Sequence, residues 1–87
     1  MSRLINNDLE KAKQFALQNG ASKIVRQLMQ ESECSVQELA HVLGIKPQSL
    51  STKLYRDRFT FHEFQMILDL LDFKVAVLNK NNGKRVY

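Results

Sequence analysis

Residues 35–55 read SVQELAHVLGIKPQSLSTKLY, and Gly44 divides them into two short helical patterns. The first puts Val36, Leu39, Ala40 and Leu43 on one face. The second puts Leu50 and Leu54 on one face and leaves Gln48, Ser49, Ser51, Thr52, Tyr55 and Arg56 facing out. The first start is well marked. Ser35 can cap the helix, Glu38 can return the bond, and Cys34 and Leu39 occupy the two positions of a hydrophobic staple. Glycine adopts the left-handed conformation most cheaply, so Gly44 ends this helix. Ile45 fills the corner. Pro47 opens the next helix in its first turn, where its missing N–H is not needed. Ala40 is small where the two helices must approach most closely. Together these positions predict two helices held at a sharp angle.

The flanks extend this helical reading. Asn7 and Glu10 have capping-box spacing, which predicts a helix from about Asp8 to Asn19 with Gly20 at its C′ position. Its apolar side is Leu9, Ala12, Phe15 and Ala16. A second helix is predicted from about Ser22 to Ser32, with Ile24, Val25, Leu28 and Met29 facing inward. Thr60 and Glu63 form another capping box, with Phe59 and Phe64 as its staple, and open a helix running to about Leu71. His62, Gln65, Asp69 and Asp72 make one narrow polar stripe there. A helix apolar over the rest of its circumference is expected to be buried on more than one side, as core and as subunit interface. After Asp72 the period changes to two. Phe73, Val75 and Val77 alternate with Lys74, Ala76 and Leu78, and Asn82-Gly83 signals a hairpin that closes the monomer or pairs across a dimer.

The fold expected is therefore mainly α in a single domain, residues 1–87. Residues 1–20 form an extra N-terminal helix, 35–55 the helix-turn-helix, and 73–87 a short C-terminal β-strand or hairpin. An 87-residue chain buries a modest share of its surface, so dimerisation is a natural supplement. Apolar content of 44% and charged content of 25% exclude disordered and fibrous classes. The net charge of +4 is uneven. Residues 60–73 carry −3 (Glu63, Asp69, Asp72, with no Lys or Arg), and residues 74–87 carry +4 (Lys74, Lys80, Lys84, Arg85). A basic balance suits a polyanionic partner. One cysteine, Cys34, excludes an internal disulfide and fits a reducing compartment. No apolar run reaches membrane-span length and no signal-peptide core is present, so a cytoplasmic location is expected.

The outer face of the second motif helix carries the chemistry. Gln48 is suited to bidentate bonds with adenine. Ser49, Ser51 and Thr52 offer hydroxyls, and the Thr52 methyl can meet a thymine methyl. Tyr55 either joins them in the groove or packs its ring at the edge of the core. Lys46, Lys53, Arg56 and Arg58 lie along the ends and side of the helix, where cations meet phosphates, and Gln37 can make a backbone contact from the preceding helix. Arg56 and Arg58 can also be solvated charges around Asp57. Cys34, His41 and His62 match no zinc spacing. No nucleophile–base pair, phosphate-cradling loop or cofactor motif is present, which points away from an enzyme.

These residues resemble the lambda-repressor/Cro-type helix-turn-helix regulators, the xenobiotic-response-element-like family, over roughly Ser22 to Leu71. The resemblance implies a lambda-repressor-like helical bundle acting as a bacterial or phage transcriptional regulator, often a repressor. It implies a homodimer on pseudo-palindromic double-stranded DNA, with Gln48, Ser49, Ser51, Thr52 and Tyr55 facing the major groove. No small-molecule ligand is implied. Two positions depart from the common pattern. Lys46 stands where Ser or Thr often caps the recognition helix, and Leu54 falls one position later than in many members. The family pattern does not account for the N-terminal helix. A different class, a protein-interaction module such as an antitoxin or adaptor, fits the same scaffold. A single-stranded nucleic-acid binder fits poorly, because exposed aromatics are not interleaved along the basic surface.

Overall fold

The computed structural model describes residues 8–87. It contains five helices: α1 (Leu9–Gln18), α2 (Ala21–Glu31), α3 (Val36–Leu43), α4 (Pro47–Arg56) and α5 (Phe61–Leu70). Helices α2 to α5 pack into one body, with α3 against α4 and α2 against both α4 and α5. The core is Val25, Met29, Leu39, Ala40, Leu50, Leu54 and Ile67. Around it pack Cys34, Val36, Leu43, Ile45, Phe59, Phe64 and Leu71. Each motif helix thus turns its apolar stripe inward, as spaced in the sequence. In α2 the inward set is narrower than expected. Val25 and Met29 are buried, Leu28 is half-buried, and Ile24 is exposed.

The helix starts follow the capping signals. Ser35 Oγ accepts from the Glu38 N–H at 3.1 Å, and Glu38 accepts from the Ser35 N–H at 3.0 Å. Thr60 and Glu63 form the same reciprocal pair at 3.0 and 2.9 Å. At α1 the cap is Asp8, whose carboxylate accepts from the Lys11 N–H at 3.1 Å. Asn7, the residue expected there, lies outside the described residues.

The helix ends show a rule that the sequence reading recovered once. Helices α2, α3, α4 and α5 are each followed by a left-handed residue: Glu33, Gly44, Asp57 and Asp72. After each, the next N–H donates back to the last helical turn. Cys34 donates to Met29, Ile45 to Ala40, Arg58 to Lys53 and Phe73 to Leu68, at 2.8–3.0 Å. These are Schellman closures, and three of the four use an acidic residue in place of glycine. Gly20 does not end α1. Its backbone is extended and it serves as the N-cap of α2, while Asn19 caps α1 through Nδ2 donating to the Phe15 carbonyl at 2.8 Å.

One expectation is corrected. Among the described residues no β-strand forms after α5. Leu78 and Arg85 make one isolated antiparallel bridge, and the chain reverses over residues 79–84 with Gly83 left-handed. The Asn79 side chain accepts from the Asn81 and Asn82 N–H groups, making a longer turn than a two-residue hairpin. Among the described residues the bridge has no third strand beside it, and an isolated two-stranded pairing is marginal. Helix α5 packs one side against the core, the part of its expected burial that a single chain can show. Ile67 and Leu68 are enclosed, while Phe61, Met66 and Leu70 are exposed. No residue of α1 is buried at all.

Candidate nucleic-acid interface

The candidate surface is the outward side of α4. Its entry follows from Lys46, which precedes proline and is therefore extended, at φ −72° and ψ 144°. Lys46 is the N-cap position but makes no side-chain capping bond, and Pro47 begins the helix. Leu50 and Leu54, four residues apart and both buried, fix the rotation of α4 about its own axis. The remaining positions follow from that rotation. Gln48, Ser49, Ser51, Thr52, Tyr55 and Arg56 are all exposed. Lys46, Gln48, Ser49 and Thr52 line one shallow depression at the N-terminal end of α4.

Three side chains are more specific than the sequence suggested. Tyr55 is 85% exposed, so its ring does not pack at the core edge. The Thr52 hydroxyl donates to the Gln48 carbonyl at 2.9 Å. Its proton is therefore committed within the helix, and what it offers a partner is acceptor lone pairs and a methyl group. Lys53 is set apart from the other cations. Its Nζ lies 2.8 Å from Glu63 Oε2 and both side chains are about one-third exposed.

That ion pair joins α4 to the capping box of α5, because Glu63 Oε1 accepts from the Thr60 N–H while Oε2 accepts from Lys53. The Lys53 bond and then the Thr60 backbone bond hold the Glu63 carboxyl below the usual carboxylate range. Glu38 is lowered similarly by its bonds to Ser35. Burial, and then the charge of Glu38, push the half-buried Cys34 thiol up, so it stays protonated at neutral pH. Both carboxylates have folded values below their unfolded ones. Their stabilisation is present above about pH 4.3 and is lost as pH falls through the folded values. Urea midpoints should therefore fall between pH 5 and pH 3. Glu63→Gln keeps a capping acceptor but loses the charge, so its decline should be shallower than that of the wild type. Superimposable acid profiles for the two proteins would show that the Lys53–Glu63 pair contributes no pH dependence.

Arg56 and Arg58 are exposed, and neither is ion-paired among the described residues. The carboxylate between them in sequence is turned elsewhere. Asp57 Oδ1 accepts from the Ser22 N–H at 2.8 Å, so Asp57 caps the N-terminus of α2 across 35 residues of sequence. A Cβ on Gly20 would fall on that carboxylate. Asp57 thus closes α4 through its left-handed backbone and ties it to α2 through its side chain. Sequence reasoning missed this positioning residue. Gln37 is exposed at the start of α3, on the other arm of the motif.

The profile of the Cro/C1-type HTH DNA-binding domain matches residues 25–80, well over half of the chain. The chain belongs to the Cro/C1-type helix-turn-helix family. The Cro/C1-type match spans α3 and α4 and begins inside α2, leaving α1 outside it. None of the curated proteins and none of the solved structures compared with the chain matches it. Among the described residues, no helix is long and apolar enough to cross a membrane.

Proposed function

We propose that this protein is a sequence-specific, duplex-DNA-binding transcriptional regulator of repressor type, acting in the cytoplasm as a homodimer with α4 in the major groove. The observation that carries the reading is the division of α4. Two buried leucines seat it on the domain, and every donor-bearing or acceptor-bearing side chain on its other faces except Lys53 is exposed. Gln48, Ser49, Ser51, Thr52 and Tyr55 read base edges, with Thr52 contributing its methyl and lone pairs. Lys46, Arg56, Arg58 and Gln37 meet the backbone. Lys53, held by Glu63, acts as a strut for α4 and is the one cation of the expected phosphate set that we reassign.

Selection from a pool of random duplexes, followed by titration across salt concentrations, tests this. Two half-sites separated by about 34–36 Å should emerge. Gln48→Ala should cost roughly 1–3 kcal/mol and relax preference at one position. Arg56→Ala should weaken all duplexes alike and, with one Arg56 lost from each protomer, lower the slope of log affinity against log salt by about 1.8. If no duplex is enriched and the protein ignores DNA at low salt, the proposal fails.

A further inference from the structure

Two apolar surfaces remain exposed among the described residues, and they complement each other. On α1, Leu9, Ala12, Phe15 and Ala16 form one stripe at helical spacing, with Lys11 and Lys13 on its two sides. Leu9 is 63% and Phe15 67% exposed. On α5, Met66 and Leu70 stand four apart on one flank, 43% and 47% exposed, and Phe73 follows them. Asp69 and Asp72 lie beside that flank, and residues 60–73 contain no Lys or Arg. Both helices are ten residues long. One surface is edged by cations and the other by anions. They do not cover one another within the chain, since both remain exposed.

We infer that α1 of one copy packs across the Met66–Leu70 flank of α5 in a second copy, and that the second copy returns the same contact. A two-fold axis makes such an exchange reciprocal, so both surfaces of both copies are covered at once. A foreign protein could cover one of them but would leave its complement open. The apolar stripe would supply the affinity, and the opposed charges would set which helix meets which. Lys13 lies 3.6 Å from Glu10 in an exposed pair, whereas Lys11 has no ion pair among the described residues and stands on the side toward the acidic edge. The inference rests on the homodimer proposed above and names the surfaces that build it.

The test is mass in solution across a concentration series, using the full chain with Phe15→Glu, with Leu70→Glu, and with the two variants mixed. Met66→Glu serves as a second α5 variant. Circular dichroism reports whether each remains folded, as exposed positions should. In a reciprocal exchange each variant alone weakens dimerisation by roughly ten- to a hundredfold, because both contacts are damaged. The mixture recovers part of the loss. In the mixed dimer, α1 of the Leu70→Glu chain meets α5 of the Phe15→Glu chain, and that contact is wild-type on both sides. Loss in only one of the variants, or no gain on mixing, overturns the exchange and leaves the homodimer standing. A wild-type protein that stays monomeric throughout overturns both.

Discussion

Truncation of Leu50 to alanine is expected to cost about 3–5 kcal/mol and to remove most of the folded population. Leu50 has no exposed surface. It belongs to the same core cluster as residues of α2, α3 and α5. A cavity of about 100 Å³ already lies beside it, lined also by Leu43, Ile45, Phe59, Met66 and Ile67 and by the Lys53–Glu63 pair. Removing the side chain would enlarge that space instead of letting neighbours close over it, and the penalty grows with the volume left empty. An 87-residue domain has little reserve against such a loss. Urea titration followed by helical circular dichroism measures it. Val42→Ala, at a position 62% exposed on α3, should shift stability by under about 0.5 kcal/mol and serves as the control. A Leu50→Ala midpoint within about 1 kcal/mol of wild type would mean that α4 is seated by something other than its leucines.

Such a result would also bear on binding, because the proposed recognition surface has no rigidity of its own. Gln48, Thr52 and Tyr55 keep their spacing only while Leu50 and Leu54 hold the opposite side of the same helix. Loss of seating and loss of sequence preference should therefore appear together.

The parts of this architecture that could be read in advance are those decided within a few residues. Ser35 finds Glu38 and Thr60 finds Glu63 three positions away, and Gly44 needs only its own missing Cβ. The outer face of α4 was legible for the same reason, since Leu50 and Leu54 one turn apart determine what must face out. The illegible parts depend on distant partners or on their absence. Glu33, Asp57 and Asp72 look like solvated charges in the sequence, and each stands left-handed just past a helix end. Lys53 has the spacing of a phosphate contact, but its partner is ten residues away on another helix. The period of two after Asp72 is genuine, and yet a strand needs a neighbour, and among the described residues only the Leu78–Arg85 bridge forms. Gly20 resembled a helix stop because the residue that requires its smallness, Asp57, is 37 positions later.

Asp57 is where that long-range requirement has its largest consequence, and Asp57→Ala is expected to cost about 2–3 kcal/mol. Two separable losses combine. The carboxylate caps the N-terminus of α2 through the Ser22 N–H, and removing an N-terminal cap costs about 1–2 kcal/mol. The backbone stands at φ 54° and ψ 47°, where alanine is disfavoured by roughly another 1 kcal/mol. The neighbouring Ser22 Oγ is itself buried and makes no hydrogen bond among the described residues. Asp57→Gly separates the two. It relieves the left-handed backbone while losing the cap, so it should cost less than Asp57→Ala. Gly20→Ala approaches the same contact from the other side. At φ −74° the alanine backbone is unstrained, and its methyl group would displace the carboxylate. In the Asp57→Gly background that methyl meets no carboxylate, so the second substitution should be nearly neutral. The double-mutant cycle should therefore be non-additive by about 1 kcal/mol. Additive losses would show that Gly20 and Asp57 act independently.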